Sequence, residues 1–254
     1  MKPIYFLACA SLAFGAVAPA DPNAPAALPQ ESKGAIHQTV RAIYPVRLLH
    51  EGVTSGTAVL LLEADRHGTL IDVLPTAFTH RAFAEAAMSA AREWRYEPPR
   101  MGVEPVGLVA EVTFLFSVDG VLAIDRRGAS EPREAPTFNA KYIYEAHGAH
   151  NLDAPPRPID LPQPTYPEEW AEDGRTGRVT ITFYIDEAGH TRVPTVDAEV
   201  AADEWLAAVA LAAVRKWRFE PCTFKGRPVL VRAQQTFVFG KGAAATRAIR
   251  ESGL

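Results

Sequence analysis

Cysteine is almost missing from this sequence: among 254 residues there are Cys 2. One of them, Cys9, lies in a leader-like stretch, which leaves Cys222 alone in the remainder. A single cysteine makes no intrachain disulfide, so folding rests on packing; Cys222, just after an apolar segment, is expected to be buried. A basic excess is also missing. Lys+Arg 26 stand against Asp+Glu 30 for a net charge of -4, which argues against a nucleic-acid partner. Long apolar runs are lacking beyond the first twenty residues, which excludes a polytopic membrane protein. Catalytic signatures are absent too: there is no Gly-x-Ser-x-Gly, His-Glu-x-x-His, Cys-x-x-Cys or phosphate loop. The sequence therefore predicts no enzyme, no catalytic residue, no cofactor and no metal. The only close histidine pair, His147 and His150 with Asp153 nearby, falls in an expected linker and is expected to be solvated there. His67 and His190 fall at hairpin turns, where they face water.

What is present is an ordinary globular composition, 48% hydrophobic and 22% charged. The 21 prolines are unevenly placed, which hints at extended linkers. Residues 1–20 have the form of a secretory signal: Lys2, an apolar run from Ile4 to Val17, and the small-x-small site Ala18-Pro19-Ala20 before Asp21. The run is shorter than the roughly 20 residues of a spanning helix. Export to the periplasm with cleavage follows; the alternative is an uncleaved inner-membrane anchor facing the periplasm.

The remainder contains an internal repeat. Tyr44-Pro45 recurs as Tyr166-Pro167, and Gly52 and Gly56 as Gly174 and Gly177. The stretch Asp65 to Gly68 recurs as Asp186 to Gly189. Trp94-Arg95-Tyr96-Glu97-Pro98 recurs as Trp217-Arg218-Phe219-Glu220-Pro221, Pro105-Val106 as Pro228-Val229, and Phe114-Leu115-Phe116 as Phe237-Val238-Phe239. Order and spacing are kept. The predicted organisation is a signal at 1–20, an extended segment at 21–40, copy 1 at 41–117, a proline-rich linker at 118–160, copy 2 at 161–240 and a tail at 241–254.

Each copy predicts the same elements. Val179, Ile181, Phe183 and Ile185 alternate with polar residues as a half-buried strand. A turn at Asp186 to Gly189 leads to a second strand, Thr191 to Val196; copy 1 has Ala58 to Ala64, the turn Asp65 to Gly68, and Leu70 to Leu74. Leu206, Ala210, Ala213, Val214 and Trp217 form one helical stripe, matched by Phe83, Ala87, Ala90, Ala91 and Trp94. The two tryptophans end these stripes and are expected in the core. A last strand places Val229, Val231, Ala233, Phe237 and Phe239 on one face, with Arg232, Gln234 and Thr236 toward solvent; Leu108, Ala110, Val112, Phe114 and Phe116 match the apolar face. The fold class is α+β: two tandem small β-β-α-β domains, each with an antiparallel sheet covered on one face by a helix. Such a small sheet presents an edge. Gln163 and Tyr166, beside prolines at a domain entrance, have no evident core role and are candidate binding residues.

Both copies resemble the TonB C-terminal domain family, copy 2 more closely. The residues carrying the resemblance are Gln163-Pro164-Thr165-Tyr166-Pro167, Gly174, Gly177, Val179, the turn Asp186 to Gly189, Ala207-Ala208, Trp217 to Pro221, Gly226 to Val229, and Phe237-Val238-Phe239. The resemblance implies a periplasmic module of energy-dependent transmembrane transport. It would capture an extended peptide of an outer-membrane TonB-dependent transporter by adding it to a sheet edge, a β-augmentation. It implies that Gln163, Pro164 and Tyr166 lie beside the captured strand. Val229, Val231, Arg232, Gln234 and Thr236 would lie on the pairing strand, where Val231→Pro is expected to remove an edge donor. Copy 1 departs from the pattern, with Arg41-Ala42-Ile43 before Tyr44-Pro45 in place of the Gln-Pro. Ser11 is followed by Leu12-Ala13-Phe14-Gly15 and lacks the Ser-x-x-x-His of a full energy transducer, and no long spacer follows. Coupling to ExbB and ExbD is not expected. The competing reading is a structural or assembly module whose edges form a homodimer without energy transduction.

Overall fold

The computed structural model describes residues 35–37, 39–101, 104–105, 107–125, 141–165, 176–197 and 204–240. The expected signal at 1–20, most of the extended segment, Tyr166 with the rest of 166–175, and the tail at 241–254 lie outside the described residues.

The first unit contains β1 (Ala35–His37), α1 (Arg47–His50), β2 (Ser55–Ala64), β3 (Leu70–Phe78), α2 (Arg81–Arg92), β4 (Arg95–Glu97), β5 (Arg100–Met101), β6 (Glu104–Pro105), β7 (Leu108–Ser117), β8 (Gly120–Asp125) and β9 (Tyr144–Glu145). Its five-stranded sheet has the order β8-β7-β2-β3-β9, and every neighbouring pair is antiparallel. The second unit contains β10 (His147–Gly148), a 3-10 turn (Ala149–Asn151), β11 (Pro158–Asp160), β12 (Gly177–Ile185), β13 (Thr191–Val196), α3 (Glu204–Val214), β14 (Arg218–Phe219), β15 (Thr223–Phe224), β16 (Arg227–Pro228) and β17 (Val231–Phe239). Its sheet order is β10-β17-β12-β13, antiparallel except for the short parallel pair β10-β17. The chain is α+β.

The apolar stripes of the sequence are the cores. Phe83, Ala87, Ala90, Ala91 and Trp94 are all buried against Ala58, Leu60, Leu62, Val112, Phe114 and Phe116. Leu206, Ala210, Val214 and Trp217 are buried with Val179, Ile181, Phe183, Ile185 and Phe237. Burial of each large side chain contributes about 1.5–3 kcal/mol, and the alanines let each helix lie close to its sheet. The helix α2 starts at His80, whose Nδ1 accepts from the Ala82 N–H at 3.1 Å, satisfying one of the helix's otherwise unpaired donors.

The same local contacts occur in both units. Asp65 Oδ1 accepts from the N–H groups of His67 and Thr69, at 2.8 and 2.9 Å. Asp186 Oδ1 accepts from Ala188 and His190, at 3.0 and 2.8 Å. The turn glycines Gly68 and Gly189 have φ of 80° and 83°, a region that disfavours other residues. Each also lies against a strand carbonyl: a Cβ would stand 2.2 Å from Tyr96 O and 1.9 Å from Phe219 O, respectively. Trp94 Nε1 donates to Val40 O at 2.7 Å and Trp217 Nε1 to Pro162 O at 3.0 Å. β1 pairs with β4, and β11 pairs with β14.

Two expectations are corrected, and the buried face of the last strand gains a residue. The segment 118–160, expected as a linker, contains β8, β9, β10 and β11. β9, β10 and β11 have only two or three pairing residues each and show no periodicity, whereas β8 is six residues long with four apolar residues in succession and so lacks the alternation of a half-buried strand. The last strand begins at Val231; Val229 precedes it, between β16 and β17, where its N–H donates to Cys222 O at 3.0 Å. The buried face of β17 also includes Gln235, whose Nε2 donates to Thr236 O at 2.8 Å, so this amide is not left unsatisfied in the core.

The two units touch. Arg192 on β13 donates to Asp72 on β3, through Nε at 2.7 Å and through a second guanidinium nitrogen, and Asp186 lies 3.5 Å from the same group. Arg215 pairs with the buried Glu63, and Tyr144 donates to Glu187. Leu74, Val193 and Leu230 form a small apolar cluster between the sheets.

Candidate functional site: the edge of the second sheet

The pairing strand of the sequence reading is β17. On its inner side it is fully engaged: Val231 to Phe239 pair one by one with Ile185 to Gly177. On its outer side it meets β10, at His147 against Val231 and Gly148 against Arg232. The His147 N–H donates to Leu230 O at 2.8 Å. Since backbone groups of a strand point alternately to either side, Leu230 and the other even-numbered residues face outward. Arg232 is met by β10. Among the described residues, no strand lies beyond the outward groups of Gln234, Thr236 and Val238.

This alternation corrects the expectation for Val231. It is fully buried, and its backbone groups belong to the ladder with β12. A proline there would break the sheet rather than blunt its edge.

The side chains of the outward residues lie on the face away from α3. Arg232 is exposed and Val238 is 39% exposed. The expectation that Gln234 and Thr236 see solvent is corrected: both are half-buried. Gln234 Nε2 donates to Asp197 Oδ2 at 3.1 Å, and the Thr236 and Thr180 hydroxyls are 3.0 Å apart. Near Arg232, a cavity of about 380 Å³ opens between the sheets, lined by Glu111, Glu145, His150, Tyr184 and Arg232 among others. Burial pushes the Tyr184 phenol above its ordinary pKa.

The other expected binding residues are dispersed. Gln163 is exposed, and its Nε2 donates to Leu161 O at 3.2 Å. Pro164 is buried. Val229 is half-buried, behind the β15-β16 turn. Tyr166 lies outside the described residues. Trp94 and Trp217 are core residues, and Cys222 is buried. His67 and His190 are exposed. No group of three or more metal-binding side chains exists among the described residues. His147 instead packs against Phe224, with ring centroids 4.6 Å apart.

The first unit differs at the corresponding place. The outer side of β7 pairs with β8, from Ser117 against Gly120 to Val112 against Asp125. Phe114 and Phe116 hold the places that Phe237 and Phe239 hold in β17. β8 therefore covers on β7 the stretch that corresponds to Gln235 through Gly240. Sequence reasoning missed this hairpin; the Val118-Asp119-Gly120 turn signal after an apolar strand was its trace.

Fold and edge define a two-layer α+β domain with a helix on one face of its sheet. Residues 162–240 match the family model described as Gram-negative bacterial TonB protein C-terminal. A solution NMR structure of Pseudomonas aeruginosa TonB CTD is similar at 29% identity, covering 36% of this chain and 90% of that chain, with a TM-score of 0.28. No curated protein matches. Among the described residues, no helix is long and apolar enough to cross a membrane.

Proposed function

We propose that this chain is a periplasmic, TonB-like protein-binding module whose second unit captures an extended peptide of an outer-membrane transporter by β-augmentation. The observation that carries this reading is the outer side of β17. The backbone groups of Gln234, Thr236 and Val238 offer up to six hydrogen bonds to an added strand, each worth about 0.5–1.5 kcal/mol net. The family match at residues 162–240 supports reading the partner as an outer-membrane transporter. The shared turn, tryptophan and strand contacts support reading the two units as tandem copies of one domain. In the first copy β8 already fills the edge, so capture belongs to the second.

Titration of the full chain with peptides from the N-terminal region of an outer-membrane transporter tests this. Amide shifts are expected at Gln234, Thr236 and Val238. Val238→Pro removes an outward donor and is expected to weaken binding at least tenfold while leaving the fold intact. Absence of shifts along β17 at millimolar peptide would refute capture. A second copy of the chain could use the same edge; sedimentation that finds a stable dimer in the absence of peptide would favour the assembly reading.

A further inference from the structure

We infer that the segment Tyr144–Gly148 is a fixed strap that fills the first part of the β17 edge and so sets the length and register of the captured peptide. This rests on the capture reading. The strap pairs with both sheets in succession. Tyr144 and Glu145 pair with Phe78 and Ala77 of β3; two residues later His147 and Gly148 pair with Val231 and Arg232 of β17. N–H groups of the strap and of Ile143 just before it donate to carbonyls on both sides: Ile143 to Phe78 at 3.0 Å, Ala146 to Thr76 at 2.8 Å and His147 to Leu230 at 2.8 Å. Tyr144 stacks on Phe78 with centroids 4.6 Å apart, and His147 packs on Phe224. Tyr144 and Ala146 also pack against Leu74, Val193 and Leu230.

A guest that displaced this strap would gain backbone bonds only at the outward groups of Leu230 and Arg232. It would forfeit three backbone bonds, two ring contacts and part of the cluster between the sheets. The strap therefore stays, and the guest abuts it. The stretch left to the guest, Ala233 to Phe239, overlaps the one that β8 covers on β7, and β8 has six residues. The partner is thus an extended segment of about six residues whose end meets the strap near Gly148. Side chains on the guest face turned away from α3 would point toward the cavity at Arg232 and Tyr184.

Nested peptides of four, six, eight and ten residues from one transporter N-terminal region, titrated into the full chain, test the inference. Affinity is expected to climb to about six residues and then stay within twofold, with unchanged amide exchange at His147. A further rise of tenfold or more at eight and ten residues, with faster exchange at His147, would overturn the strap while leaving edge capture standing. No shift at Gln234, Thr236 or Val238 with any peptide would overturn edge capture and the strap with it. His147→Pro removes the donor to Leu230 and is expected to restore a gain of at least tenfold for the longer peptides; a plateau at six residues in that variant, if folded, would also count against the strap.

Discussion

Replacing Gly189 by alanine perturbs the joint between the hairpin turn and the strand after the helix, and the structure separates its two costs. The first is backbone conformation: at φ of 83° an alanine is disfavoured by about 1–2 kcal/mol. The second is contact. The new Cβ would stand 1.9 Å from Phe219 O, whereas carbon–oxygen contacts close to roughly 3.3 Å. β14 must withdraw, which strains the bond from Phe219 N–H to Gly189 O, now 2.9 Å. It also shifts Phe219 among Phe183 and Trp217. One hydrogen bond and part of one aromatic packing add about 1–3 kcal/mol. The total expected loss is about 2–5 kcal/mol, a large share of a small domain's stability. Gly226 is the control. Its φ is 71°, and nothing lies within 4 Å of its would-be Cβ, so Gly226→Ala carries only the first cost, about 1–2 kcal/mol. Gly68→Ala, with Tyr96 O at 2.2 Å, should resemble Gly189→Ala in the first unit. Urea unfolding followed by circular dichroism measures all three. Equal losses for Gly189→Ala and Gly226→Ala would refute the close-approach reasoning.

Arg215→Ala leaves the buried Glu63 without its cation and is expected to cost about 1–3 kcal/mol, less than a fully buried pair because Arg215 is partly exposed; a double-mutant cycle with Glu63→Leu should show the double variant less destabilised than Arg215→Ala alone. Asp153 accepts from the Gly226 and Lys225 N–H groups at 2.8 Å each, and these bonds hold its carboxyl below the ordinary pKa. A carboxylate depressed in the folded state contributes stability above its unfolded value, about 3.9, which is lost as pH falls through the folded value. Asp153→Ala should therefore flatten the acid limb of stability below about pH 4, measured by urea midpoints across that range. Cys222 is buried, and burial raises its thiol pKa; an aromatic disulfide reagent should react with it only as fast as the chain opens, and fast labelling under native conditions would contradict its packing.

The faces of the fold were legible because burial imposes a period. Five residues of each helix stripe and the alternating Val179, Ile181, Phe183 and Ile185 mark the core directly. Tryptophan at the end of each stripe was legible as core for the same reason. Strand neighbours were not legible, because a period of two states which way a side chain points and nothing about which strand lies alongside. That is why Val231 was expected to offer an edge donor, although its backbone faces β12. It is also why His147, in a two-residue strand, seemed to lie in a solvated linker. Gln235 breaks the apolar alternation of β17 yet sits inside, since a local bond to Thr236 O meets its amide. Gln163 and Tyr166 were singled out by their place beside prolines as well as by resemblance, and Gln163 follows directly on Pro162, whose carbonyl receives the Trp217 N–H.

Unpaired strand edges invite indiscriminate pairing, so the treatment of each edge bears on function. In the first unit, the outer side of β7 carries a hairpin strand of six residues. In the second, β13 carries Pro194 and a register shift against β12, both of which spoil it as a template. Val193 has φ of 41° and turns that strand further from regularity. Arg192 and Val193 are committed to contacts with the first unit. β17 receives a different treatment: its first two residues are covered by the chain itself, and the regular run after them keeps polar side chains on the outer face, with Gln234 and Thr236 held by Asp197 and Thr180. Those side-chain bonds fix the strand in its pairing geometry before any partner arrives, which lowers the ordering cost of adding one. A short, preordered, partly capped edge suits a partner of defined length, whereas an edge meant for open-ended assembly would need no cap at its start.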